Sequence, residues 1–125
     1  MKKVRTYSIG SAAVLLAGAL GASAQDSPPT YQADPGVYKV IFEDQNFRVI
    51  AASWSKGARD KAHSHPVPSV VYAVKDCSLR IHAPDGKTTD ISPKAGASMA
   101  VPVTPSHSTE NVGASDCQLI LVERK

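Results

Sequence analysis

At 125 residues the chain holds one domain and has no room for two. It is 42% hydrophobic and 20% charged, which excludes a largely disordered chain. The net charge of +3 comes from Lys2, Lys3 and Arg5; beyond residue 24, eleven basic side chains face eleven acidic ones. A neutral domain lacks the electrostatic footprint of a nucleic-acid or anionic-membrane binder.

The first 24 residues carry the three parts of an export signal. Lys2, Lys3 and Arg5 are a positive start, Ile9 to Leu20 an apolar stretch, and Ala22-Ser23-Ala24 a small-x-small cleavage site. The apolar run is too short for a spanning helix, which needs about 20 residues. The sequence therefore predicts cleavage before Gln25, a periplasmic or secreted location, and no membrane attachment afterwards. In that oxidising setting the two cysteines, Cys77 and Cys117, are expected to form a disulfide, with two buried free thiols as the alternative.

Gln25 to Gly36 is rich in Pro, Asp, Ser and Gln and reads as an extended arm. From Val37 the texture changes to short apolar, β-branched runs punctuated by turns. Strands are expected at Val37–Phe42, Phe47–Trp54, Ser69–Val74 and Cys77–Ala83, with Cys77, Leu79, Ile81 and Ala83 on one face. Pro84-Asp85-Gly86-Lys87 is a turn. Further strands follow at Thr88–Ser92, Ala97–Val101, His107–Val112 and Gln118–Val122. Six to nine such strands over residues 37–125 predict an all-β sandwich or barrel.

Four histidines stand out. His63 and His65 are two apart, so in a strand they share a face with bases about 6.5 to 7 Å apart and can converge on one metal ion. The same spacing also describes a polar strand end. His107 enters from a separate segment after the Pro102 strand end. Three imidazoles suit Zn, Fe, Cu, Ni or Mn, with open positions for chemistry. His82 alternates with Ser78 and Arg80 and is expected to face solvent. Asp60, Asp76, Asp85 and Asp90 read as solvated turn residues, Met99 as core filler, and Trp54 and Tyr72 as core or pocket wall. No hydrolase, P-loop or dinucleotide-binding motif is present.

The spacing Gly57-x5-His63-x-His65-x3-Ser69 resembles the first cupin motif, and Gly96-x5-Pro102-x-Thr104-x2-His107-x3-Asn111 resembles the second. The resemblance spans about residues 37 to 123. It implies a jelly-roll β-barrel in which His63, His65 and His107 hold one divalent transition metal beside a small organic ligand. It also suggests self-association into a homodimer. The chain departs from the pattern in three places. Ser69 replaces the motif's metal-binding glutamate, while Asp76 and Thr104 replace glycines. A β-branched residue is strained at positive φ, so the loop carrying Thr104 is expected to avoid that conformation. An all-histidine site is similar to that of cupin-like thiol dioxygenases. The resemblance leaves three readings open: a metal-dependent oxygenase or isomerase, a non-enzymatic metal or small-ligand binder, and a metal-free structural protein.

Overall fold

The computed structural model describes residues 27–125; the expected export signal and the first two residues of the arm lie outside them. A single helical turn, α1 (Thr30–Ala33), precedes nine strands. They are β1 (Tyr38–Glu43), β2 (Phe47–Trp54), β3 (His63–His65), β4 (Ser69–Ala73), β5 (Leu79–His82), β6 (Thr88–Ile91), β7 (Ser98–Val101), β8 (Thr104–Asn111) and β9 (Cys117–Arg124). They form a five-stranded sheet, order β1-β2-β9-β4-β7, and a four-stranded sheet, order β3-β8-β5-β6. Every ladder is antiparallel.

Alternation places the core between the sheets. On β9, Cys117, Leu119, Leu121 and Glu123 are buried. On β2 the inward residues are Ile50, Ala52 and Trp54, and on β4 Ser69, Val71 and Ala73. Burying each of the larger apolar side chains contributes roughly 1.5–3 kcal/mol. Cys77 and Cys117 meet at disulfide distance, 2.06 Å between sulfurs. They tie the segment before β5 to the start of β9.

Turn chemistry sets the strand ends. Asp44 Oδ1 accepts from the backbone of Asn46 and Phe47, closing the β1–β2 hairpin. Gly57 and Gly96 have φ of 77° and 84°, where a side chain would be strained. These are the two glycines that open the motifs. Asn111, which closes the second motif, sends its side-chain N–H groups to the carbonyls of Trp54, Ser55 and Ser115. It thereby binds the end of β2 to the end of β8.

Two expectations need revision. The arm is not extended throughout. From Ser27 it lies on its own domain, with Ser64 donating from its backbone to Pro28 and from its hydroxyl to Ser27. The carbonyl of Pro29 then accepts from Gln32 and Ala33 and starts the helical turn. Thr30 is fully buried, and the Tyr31 ring lies 4.4 Å from the Arg48 guanidinium carbon. Tyr72 is no core residue: it is 45% exposed, on the outer face of the larger sheet. Strand alternation dictates this once Val71 points inward.

Candidate functional site

β3 is three residues long and wholly buried. It pairs with β8 so that His63 lies opposite His107 and His65 opposite Thr104. Two steps along β3 therefore face three along β8, a bulge that holds Pro105 and Ser106. Bulges re-aim side chains, and here the three imidazoles come together. Ring centroids are 5.3 Å apart for His63 and His65, 4.4 Å for His63 and His107, and 5.1 Å for His65 and His107. One ring nitrogen from each lies within 4.8 Å of the other two. The expected trio is thus assembled from two separate chain segments.

Their neighbours decide the tautomers. His63 Nδ1 lies 3.0 Å from the Lys61 carbonyl oxygen, and His107 Nδ1 2.8 Å from that of Pro105. A carbonyl only accepts, so Nδ1 carries the proton in both rings and Nε2 keeps its lone pair. Buried His65 Nδ1 has no partner among the described residues. Burial, followed by the charges of His107 and His63, pushes the pKa of His65 down to about 3. Burial also lowers that of His107, against an opposing bond to Pro105. These two rings are neutral at pH 7, as ligation requires. The clustered ring nitrogens, two neutral rings and the orphaned buried nitrogen of His65 suit a metal ion, with the Tyr38 hydroxyl 3.4 Å from His63 Nε2.

Behind His63 lies a residue that the sequence did not mark. Asp60, expected as a solvated turn residue, is buried, with its side chain 0% exposed. Its Oδ2 accepts from the Tyr38 hydroxyl at 2.7 Å and the Trp54 indole N–H at 3.1 Å. Oδ1 accepts from the Thr109 backbone at 2.7 Å and sits 3.5 Å from His63 Nδ1. Burial pushes its pKa up, but the His63, Thr109 and Tyr38 contacts outweigh that and the net shift is downward. Asp60 is therefore a held carboxylate beside the ring of His63, whose Nδ1–H the Lys61 carbonyl accepts. Only its place three residues before His63 hinted at this.

The remaining candidates separate cleanly. Ser69 faces inward, and its Oγ has no partner among the described residues. No carboxylate joins the histidine group among the described residues. Glu123, opposite Ser69 on β9, is buried and held by Arg48 at 3.3 Å. His82 stands apart on β5 in a half-buried pair with Glu110 at 3.0 Å. Thr104 has no positive φ, and its hydroxyl donates to the Pro102 carbonyl. A cavity of about 200 Å³ adjoins His65 and His107. Trp54 and Met99 line it, together with aliphatic side chains of both sheets.

No protein-family profile matches the chain, and no curated protein does. Solved structures do. A cupin domain from Bordetella pertussis Tohama I superposes with a TM-score of 0.66 at 18% identity, over 79% of this chain and 96% of that one. An RmlC-like cupin with a double-stranded β-helix fold from Methanocaldococcus jannaschii gives 0.57 at 12% identity, over 70% and 78%. The polyketide cyclase RemF from Streptomyces resistomycificus gives 0.55 at 18%, over 79% and 74%. At these identities the likeness fixes the fold: the barrel is the cupin double-stranded β-helix that the two motifs implied.

Proposed function

We propose that the protein is an exported cupin that holds one divalent transition metal through His63, His65 and His107. It would offer the metal's open positions to a small organic molecule in the adjoining cavity. The observation that carries this reading is the convergence of three buried imidazoles, two with Nδ1 anchored on carbonyl oxygens. The donor set suits Fe, Mn, Zn, Cu or Ni. The segment at residues 1–24 and the paired cysteines support export.

A bound metal would supply Lewis acidity or an oxygen-binding centre, consistent with an oxygenase or isomerase. The chain's own residues orient and exclude. Asp60, Lys61 and Pro105 fix two of the rings, and the aliphatic wall keeps water from the bound molecule. A second reading, a binder without turnover, is favoured by one observation. The cavity wall holds no acid or base besides His65 and His107, so no side chain is free to move a proton.

Elemental analysis of protein purified from the periplasm without chelators tests the proposal. About one equivalent of a transition metal per chain is expected. Its loss in the His63→Ala/His65→Ala double variant, with the fold retained by circular dichroism, supports the site. Stoichiometric metal in that variant, or a wild-type protein that takes up none of the five ions, overturns it.

A further inference from the structure

The electrostatics around the cavity define the charge of its occupant. Among the described residues the lining contains no Lys, Arg, Asp or Glu; its polar members are His65, His107, Thr104, Thr109 and Trp54. Two of these are committed elsewhere: the Trp54 N–H donates to Asp60, and the Thr104 hydroxyl to Pro102. The other charges on the barrel's inner face are also accounted for. Arg48 and Glu123 face each other at 3.3 Å, and Asp60 stands behind His63 as one negative charge. A divalent ion held by the three imidazoles, set against Asp60, leaves one positive charge unbalanced.

Resting on the metal-binding reading above, we propose that this site takes a small monoanion with an apolar body. The anionic group sits on the histidine side and the body lies against Val71, Leu79, Ile81, Met99, Leu119 and Leu121. A second charge of either sign on the ligand meets no partner in the wall, and burying an unpaired charge is costly. The size follows from the cavity of about 200 Å³. A dry void of about 150 Å³ accommodates benzene, so the occupant has roughly ten non-hydrogen atoms.

The test uses the full mature protein loaded with Co²⁺, with loading measured first by elemental analysis. Phenylacetate, 2-phenylethanol, 2-phenylethylamine and phenylsuccinate are then titrated while the visible Co²⁺ spectrum is followed. Phenylacetate is expected to shift the spectrum and to bind at least about tenfold more tightly than each of the others, a gap of about 1.4 kcal/mol. In Ile81→Phe, which narrows the cavity, phenylacetate binding is expected to weaken by about tenfold, while azide, which has no body to place, binds as before. If the alcohol, the amine or the dianion matches phenylacetate in the loaded protein, this inference falls and the metal site stands. If Co²⁺ does not load, both fall together.

Discussion

Replacing Asp60 by Asn changes one buried charge and almost no volume, so its effect isolates what the carboxylate contributes. Asp60 accepts from three donors, Tyr38 OH, Trp54 Nε1 and Thr109 N, at 2.7, 3.1 and 2.7 Å. An amide offers one acceptor oxygen. With that oxygen in the Oδ2 place, the NH2 group faces the Thr109 N–H and His63 Nδ1–H. With it in the Oδ1 place, the NH2 faces the Trp54 N–H. Either way a buried donor is stranded, at about 1–3 kcal/mol, and the surviving bonds lose their charge assistance. The expected loss is about 3 kcal/mol, or roughly 12–24 °C in Tm for a domain of this size. That leaves the variant folded if the parent has an ordinary stability of about 5–15 kcal/mol. Urea unfolding measures it, with Tyr38→Phe, which removes a single donor, expected to lose less. The same variant removes the negative charge 3.5 Å from His63 Nδ1, so metal affinity is expected to fall about 10- to 100-fold. A loss under about 1 kcal/mol, or an unchanged metal affinity, would refute the account of Asp60 as the holder of His63.

Acid should destabilise the metal-free protein well before its carboxylates titrate. His65 has an ordinary pKa of 6.5 when unfolded and about 3 when folded, so between these values the unfolded chain binds more protons. Stability is therefore full above pH 6.5 and lost as pH falls towards 3, by on the order of 4 kcal/mol. Lowered His107 acts in the same direction, and Asp60 adds a further loss below 3.8. Urea midpoints that stay flat from about pH 7.5 to 4.5 would contradict this. The Cys77–Cys117 link closes a separation of 40 residues, which corresponds to about 4 kcal/mol in the chain-entropy account. Thiol titration of the denatured, unreduced protein should find no free thiol, and reductant should lower the unfolding midpoint. Two titratable thiols, or an unmoved midpoint, would count against the bond.

The strands that were plain in the sequence are those whose signals are local. β2 runs from Phe47 to Trp54 as expected, because an apolar run is bounded by turn residues at Asn46 and Ser55. β8 was misjudged at its start. Pro102 reads as a strand end and the next strand is expected from His107, yet it begins at Thr104. Proline is excluded from a ladder because it lacks an N–H, but a bulge leaves that position unpaired. Pro105 lies in the bulge opposite β3. The irregularity that hid the strand start is the one that brings His107 opposite His63.

The site divides along the same line. The histidines were legible because their chemistry and spacing are written in single residues and in two motif-like strings. Asp60 was not, because its role exists only once four distant segments have met. Its partners Tyr38, Trp54, His63 and Thr109 come from β1, β2, β3 and β8. No periodicity or spacing links those positions, and an Asp in a polar stretch after Gly57 looks like any turn residue. Burial changes that reading. A carboxylate excluded from water must be satisfied by hydrogen bonds, and the donors that satisfy Asp60 also fix the ring it holds. The only carboxylate near the histidine group among the described residues thus stands behind His63. There its charge lies 3.5 Å from His63 Nδ1 without joining the three imidazoles themselves.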